Sequence, residues 1–188
     1  MKKRWVILDQ QDNNEIEDLS NQLNNLHPVL TRLLLQRGVN SKDKAIEFFK
    51  PQLKSLYDPF MMKDMDKAVA RLSKAIDHSE KILVYGDYDV DGTSAVALVF
   101  SFLKNYVSNI EYYVPDRYTE GYGISVQGIE YSKEQNFNLI IALDCGIKAH
   151  EQIELANSYG IDIIICDHHR PGESIPNACA VLDPKRED

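Results

Sequence analysis

Three apolar runs, each of a length typical of a buried strand, constrain the fold of this chain more than any other feature. They are KILVYG at 81–86, NLIIAL at 138–143 and IDIIIC at 161–166. Shorter strands are predicted at 110–114 and 178–182, and segments with helical apolar spacing lie between the strands. Strands that alternate with helices indicate right-handed crossovers. We therefore predict an α/β fold, with a doubly wound, mainly parallel sheet and helices on both faces.

The first 60 residues have a different pattern. A short strand is predicted at Trp5 to Leu8, followed by a polar, Asn-rich patch at 10–25. Pro28 and Ser41 are typical of the first turn and the N-cap of helices. We therefore expect a helical N-terminal segment over 1–60 and the main domain over 61–188, in which the first helix carries an apolar stripe between 65 and 76.

Side chains that bind cations follow each of the three apolar runs directly. Carboxyl ends of parallel strands meet at one edge of a sheet, so these side chains should converge there. Packed carboxylates repel one another unless cations neutralise them. The pattern predicts a site for two divalent ions, and oxygen-rich ligands favour Mn²⁺ or Mg²⁺. The residues are Asp87, Asp89, Asp91, Asp144, Asp167, His168 and His169.

The DYDVDG loop at 87–92 allows other interpretations. It matches the first half of an EF-hand loop, but Leu98 stands where the last ligand should be glutamate. It also resembles the aspartyl-phosphate loop of haloacid-dehalogenase phosphatases, in which Asp89 would be the nucleophile and Asp91 the acid/base. A solvated acidic turn without a role is the third alternative. We also expect Gly92 to let the backbone turn sharply into the next helix.

Two further features of the site are weaker as isolated signals. Asp144 alone could simply cap the following helix, and Asp167 could orient an imidazole rather than bind metal. The glycine loop RYTEGYG at 117–123 could hold a phosphate through its backbone and Arg117. A plain strand-to-helix turn explains that loop equally well. The residues predicted to bind substrate are Arg117, Gly121, Gly123 and Arg170, and Lys148 could act similarly.

Composition limits the class of protein. The chain of 188 residues is 44% hydrophobic and 27% charged, and no apolar run approaches the length of a membrane span. A net charge of −8 argues against bulk binding of nucleic acid by charge alone, although bound cations would offset part of it. Three cysteines without a CxxC pair predict reduced thiols and a cytoplasmic protein. Cys145 could also be read as a nucleophile, but a small buried cysteine is the commoner case.

Taken together, four ordered motifs resemble the DHH phosphoesterase superfamily, and most closely its RecJ family of exonucleases. The motifs are YGDYDVDGTSA, PDRYTEGYGIS, LDCGIKA and CDHHRPGESIPNACAVLDPK, and the resemblance spans roughly 27–188. It implies a two-metal site with Asp89, Asp91, Asp144 and His168 as ligands. It places Asp87, Asp167 and His169 in or beside the reaction site.

The resemblance also implies a function. It indicates a 5′→3′ exonuclease of single-stranded DNA in repair and recombination, with single-strand-binding and recombination proteins as expected partners. The chain ends directly after a strand, at DPKRED, so we expect a domain truncated on its C-terminal side, with reduced activity or none alone. An oligonucleotide or cyclic-dinucleotide phosphodiesterase of the same superfamily is one alternative, and a non-catalytic metal-binding domain is another.

Overall fold

The structure is a computed structural model, and it describes residues 4–6 and 12–187. The chain separates into two compact units, one ending at Tyr57 and the other beginning at Asp58. In the described ranges, no helix combines the length and the apolar character needed to cross a bilayer.

The N-terminal unit is helical. Pro28 opens its second helix, and the Ser41 hydroxyl accepts a hydrogen bond from the Lys44 N–H at the start of the third, as the sequence predicts. Leu19 and Leu34 are among the residues of its small apolar core. Its elements are α1 (Asn13–Gln22), α2 (Pro28–Leu35), α3 (Lys42–Phe49) and a 3₁₀ turn at Leu53–Ser55.

Helix α1 lies in the segment that the sequence presents only as a polar patch. Asparagine is a weak helix former, but Asp12 caps the helix through the Asn14 N–H, and Ile16 and Leu19 are buried on one side. Tertiary burial therefore outweighs the low propensity. The strand predicted at Trp5 to Leu8 extends into residues outside the described ranges, and its described part, Trp5 and Val6, is not in a strand.

The second unit is built on a parallel sheet in the order β2-β1-β3-β4-β5, so the predicted doubly wound α/β fold is confirmed. The strands are β1 (Ile82–Gly86), β2 (Ile110–Tyr113), β3 (Leu139–Leu143), β4 (Asp162–Cys166) and β5 (Ala180–Leu182). The helices are α4 (Met65–Asp77), α5 (Val90–Leu103), α6 (Val126–Glu134) and α7 (His150–Ser158), with a 3₁₀ turn at Pro59–Met61.

Alternate residues of the central strands belong to separate cores on the two faces of the sheet. Leu83 and Tyr85 of β1 belong to the core that includes residues of α6 and α7. Ile82 and Val84 of the same strand belong to the core that includes residues of α4 and α5. Burial on both faces explains why the strands are apolar almost throughout, without the alternation of a half-exposed strand.

Helix α5 begins at Val90, earlier than the sequence suggests, so Gly92 lies inside the helix and not in a turn. A Cβ on Gly92 would stand 2.4 Å from the Asp87 carbonyl oxygen and 2.7 Å from the Asp87 nitrogen. Glycine is therefore required at this position because the start of α5 lies too close to the end of β1 to leave room for a side chain. The predicted role of Gly92 in a sharp turn is wrong.

The order of the strands opens a crevice at one edge. The chain leaves β1 to form β2 on one side, then crosses to β3 on the other side of β1. Open α/β sheets bind ligands at such a switch point, outside the carboxyl ends of the strands. Here the crevice lies between Asp87, which follows β1, and Asp144, which follows β3.

Candidate metal centre

Four neighbouring strands of the sheet are each followed directly by an aspartate. Gly86 pairs with Leu143, Leu143 with Cys166, and Cys166 with Leu182. The residue after each of these is an aspartate, and all four aspartates are buried. We call them the strand-tip row: Asp87, Asp144, Asp167 and Asp183.

Asp183 is the member of the row that sequence reasoning missed. It follows the predicted strand AVL just as the other three follow theirs, and that position was the available signal. Its Oδ1 accepts a hydrogen bond from the Lys185 N–H, whereas its buried Oδ2 has no hydrogen-bond partner within the described residues.

The loop after β1 supplies the next acids. Asp87 is fully buried; its Oδ1 lies 3.4 Å from the Gly123 nitrogen, and its Oδ2 has no partner in the described ranges. Asp89 caps α5 by accepting a hydrogen bond from the Gly92 N–H at 3.0 Å. Asp91 lies exposed in the first turn of that helix.

Asp144 has two unfavourable features at once. Its φ of 59° is in the left-handed region, which non-glycine residues rarely adopt. Burial, followed by the charge of Asp89, raises the pKa of its carboxyl group above the ordinary value, although His168 opposes the shift. The His168 Nε2 and the Asp144 Oδ1 lie 2.9 Å apart. Strain and crowded charge at one buried residue are typical of a functional site.

Asp167 organises the segment that follows β4. Its carboxylate accepts hydrogen bonds from the backbone N–H groups of Ile147, His168 and His169, and the His169 Nδ1 lies 2.7 Å from its Oδ1. Burial alone would raise the pKa of Asp167, but these hydrogen bonds outweigh it and the pKa is lowered. The ionised carboxylate fixes Nδ1 as the protonated nitrogen of His169.

Both imidazoles and Asp144 meet at one place. The rings of His168 and His169 have centroids 4.7 Å apart, so these adjacent residues project to the same side. One ligand atom each from Asp144, His168 and His169 lies within 4.8 Å of the others. Asp89 and Asp91 are outside this group, although Asp89 is close enough to act on the Asp144 carboxyl.

These donors fit a divalent cation. The Asp87 Oδ2 is buried without a hydrogen-bond partner among the described residues, and the charge of Asp89 on Asp144 is unfavourable until a cation offsets it. Carboxylate oxygens combined with imidazole nitrogens suit Mn²⁺, and an oxygen-rich set also suits Mg²⁺.

The glycine loop lies against the same site. Gly121 and Gly123 have φ of 87° and 81°, a conformation that glycine adopts without strain. The buried Tyr85 hydroxyl donates a hydrogen bond to the Gly123 carbonyl and accepts one from the Ser125 N–H. Between the glycines, the Tyr122 hydroxyl lies 3.1 Å from the His169 Nε2, a contact that the sequence did not suggest.

A cleft of about 280 Å³ opens beside His169 and Asp167. The exposed side chain of Lys148 lines this cleft, whereas Arg170 lines a different surface near Lys185. Cys145 also lines the cleft but is buried, and burial raises the pKa of its thiol well above the ordinary value. A protonated, buried thiol does not support the nucleophile interpretation.

Comparison with known proteins agrees with this site. The DHH family, N-terminal domain, matches residues 81–188. The single-stranded-DNA-specific exonuclease RecJ of Bacillus subtilis is 38% identical over 185 residues, which cover 98% of this chain and 23% of that protein. The Escherichia coli protein of the same name is 33% identical over 187 residues, covering 99% and 31%.

A solved structure shares the fold. RecJ of Thermus thermophilus in complex with Mn²⁺ is 25% identical, with a TM-score of 0.69, over 96% of this chain and 25% of that one. The chain therefore spans about a quarter to a third of the length of these relatives.

Proposed function

Because the chain belongs to the DHH family, we propose that the carboxyl edge of its sheet binds two divalent cations, Mn²⁺ or Mg²⁺. We propose further that the protein containing it is an exonuclease that hydrolyses phosphodiester bonds of single-stranded DNA, as the names of its relatives suggest. Cleavage from the 5′ end is proposed from the resemblance of its motifs alone. The observation that carries the proposal is the convergence of Asp144, His168 and His169 from two strand ends, with Asp89 beside them.

The residues that would hold the cations are Asp89, Asp91, Asp144 and His168. The short Asp144–His168 contact supports this, because two donors already held 2.9 Å apart can share one ion. Metal ligands must be deprotonated, so cation binding requires the ionised form of Asp144, which burial and Asp89 disfavour in the metal-free protein. The roles of Asp87, Asp167 and His169 are to support the ligands and the phosphate.

Bound cations would lower the pKa of a bound water and offset charge that develops on the phosphate. The protein's own side chains would orient the phosphate and the group that accepts a proton. Asp167 holds the Nδ1 side of His169, which places Nε2 on the side of Tyr122, 3.1 Å from the Tyr122 hydroxyl. From there His169 can orient a phosphate or accept a proton.

We propose phosphate contacts for the glycine loop; Arg170, which lines a different surface, stays an untested prediction. Arg117 is exposed and can reach substrate. The Gly123 N–H is directed at Asp87, so it would contact phosphate only after changing partner, and Gly121 has the flexibility to allow that. The expected partner proteins and the cytoplasmic location stay predictions.

The test uses the complete protein beside the 188-residue chain. Saturating Mn²⁺ at about 100 times its Kd should stabilise the fold by about 2.7 kcal/mol, which raises Tm by about 5–10 °C. Asp144→Asn and His168→Gln should lose that gain and lose digestion of 5′-labelled single-stranded DNA. Asp77→Asn, an exposed acid at the end of α4, is the matched control and should behave as wild type.

The outcomes separate the candidate functions. Manganese-dependent digestion that survives in both site variants would refute the assignment of the residues. Cleavage of small or cyclic nucleotides in preference to single-stranded DNA would favour the related phosphodiesterases. Tight uptake of Mn²⁺ by the complete protein, without turnover of any phosphoester, would instead identify a non-catalytic metal-binding domain.

A further inference from the structure

Two tyrosines and an arginine form an aromatic surface beside the candidate metal centre. The rings of Tyr88 and Tyr122 meet edge to face with centroids 6.1 Å apart. The guanidinium carbon of Arg117 lies 5.3 Å from the centroid of the Tyr88 ring. We call these three residues the aromatic shelf.

The shelf belongs to the same site as the metal ligands. Tyr88 lies between Asp87 and Asp89 in sequence, and the Tyr122 ring contacts the His169 ring edge to face at 6.1 Å. A nucleotide carries its base one sugar away from its phosphate. A strand whose phosphate is held at the ligands therefore has a base within reach of these rings.

Tyr122 and Arg117 of the shelf are exposed and Tyr88 is half-buried, although hydrogen bonds order the loop that carries Arg117 and Tyr122. Tyr122 is 57% exposed even with its hydroxyl at His169. The Asp116 Oδ1 accepts hydrogen bonds from the N–H groups of Tyr118 and Thr119, and Glu120 accepts one from the Asp116 N–H. Aromatic rings held in place but left open to solvent are suited to binding, because little freedom remains to be lost when a ligand stacks on them.

We propose that the aromatic shelf is a stacking site for an unpaired nucleobase of the strand whose phosphate is held at the metal centre. The inference rests on the proposed function and deepens it. Every base has a π-face, so tyrosine rings and a guanidinium plane accept bases with little dependence on sequence. In a duplex the base faces are already covered by their neighbours. The shelf therefore gives this part of the protein its own preference for single strands.

The experiment uses the complete protein and distinguishes the contribution of the Tyr122 ring from that of its hydroxyl. Tyr122→Phe keeps the ring and removes the contact with His169, whereas Tyr122→Leu removes both, and Tyr88→Leu removes the neighbouring ring. The matched control is Tyr106→Leu, a tyrosine that is 62% exposed after α5 and contacts Phe102.

Binding and cleavage are measured separately. Dissociation constants come from fluorescence anisotropy with 5′-phosphorylated single-stranded oligonucleotides that carry non-hydrolysable linkages, in the presence of Mn²⁺ and with all metal ligands intact. Each variant is compared on an intact strand and on strands with an abasic site at the first, second or third nucleotide. The same variants give KM and kcat with Mn²⁺ on cleavable strands.

The expected result is a loss that depends on the base. Tyr122→Leu and Tyr88→Leu should each weaken binding of the intact strand by about 5- to 150-fold and raise KM with little change in kcat. Their effect should vanish on the strand that is abasic at the stacked position. Tyr106→Leu should bind as its parent, and Tyr122→Phe should keep most of the base-dependent binding that Tyr122→Leu loses. A blunt hairpin should bind equally to all variants.

Two results would overturn the inference. Equal losses on intact and abasic strands would show that the rings do not stack on a base. A kcat defect in Tyr122→Phe as large as that of Tyr122→Leu would make Tyr122 a positioning residue for His169. Failure of the wild-type protein to cleave any strand is a different outcome: it rejects the nuclease proposal, and the anisotropy series still decides whether a base binds at the shelf.

Discussion

The close approach of α5 to the end of β1 makes Gly92→Ala a direct test of how the fold positions the acidic loop. The added Cβ would stand 2.4, 2.7 and 2.8 Å from the carbonyl oxygen, nitrogen and carbonyl carbon of Asp87. All three are backbone atoms, so no side-chain rotation can relieve the overlap. Either the start of α5 or the end of β1 has to move.

The size of the effect follows from two opposing contributions. Alanine is the better helix former in a helix interior, by about 1 kcal/mol. Overpacking that shifts backbone costs about 1–3 kcal/mol, and this contact is at the severe end because three backbone atoms are involved. The expected net loss is about 2 kcal/mol, which lowers Tm by about 4–8 °C for a domain of this size.

The same displacement should weaken cation binding. Asp89 caps α5 through the Gly92 N–H, so a shift of the helix start moves Asp89 and Asp87 together. We expect Mn²⁺ affinity to fall by about 10- to 100-fold, as is common when residues that support metal ligands are lost.

Thermal melts in chelator and a Mn²⁺ titration followed by calorimetry measure the two effects. The matched control is Gly172→Ala, where the nearest atom to an added Cβ is 3.8 Å away. A Gly92→Ala protein with wild-type Tm and wild-type Mn²⁺ affinity would show that the approach of helix and strand does not constrain the site.

Three further predictions concern charge and hydrogen bonding. Burial raises the pKa of Asp64, but hydrogen bonds from Lys67 and Arg186 outweigh it, so the pKa is lowered overall. The ionised carboxylate therefore stabilises the fold above about pH 4, and this stability is lost as the pH falls through the pKa of Asp64 in the folded state. Asp64→Ala should cost about 3 kcal/mol near neutral pH in urea denaturation, and a loss that persists undiminished in acid would contradict this. Tyr85→Phe should lower the free energy of unfolding by about 1–2 kcal/mol in the same assay, because it leaves the Gly123 carbonyl and the Ser125 N–H without their partner. An unchanged urea midpoint would refute this prediction. The raised pKa of Asp144 means that its ionised form destabilises the metal-free fold, so Asp144→Asn should raise Tm in chelator near neutral pH, with a gain that disappears toward pH 4.

Much of the fold could be predicted from the sequence because burial on both faces makes the central strands β1 and β3, and most of β4, apolar runs. The end of such a run is sharp, so Asp144 and Asp167 could be placed at strand ends without coordinates. The start of α5 could not be predicted from the sequence, because Asp91 and Gly92 are poor helix formers. Only the contact with Asp87 shows why glycine is needed there.

The parts of the site that escaped sequence reasoning depend on register and on contacts between distant segments. Asp183 directly follows a predicted strand, which was a local signal, but its place in the strand-tip row depends on the pairing of Leu182 with Cys166. The contact of Tyr122 with His169 joins residues 47 positions apart through a loop whose conformation is set by Gly121 and Gly123.

The unfavourable features of the site are concentrated where the proposed chemistry needs them. Asp144 combines a left-handed backbone with a carboxyl group whose ionisation is opposed by burial and by Asp89. Neither feature helps the chain to fold, and asparagine would tolerate both at lower cost because it accepts the left-handed conformation and carries no charge. The cost is offset only when a cation binds, so the arrangement is explained by binding and not by folding. Retention of full Mn²⁺ affinity by the Asp144→Asn protein would remove that explanation.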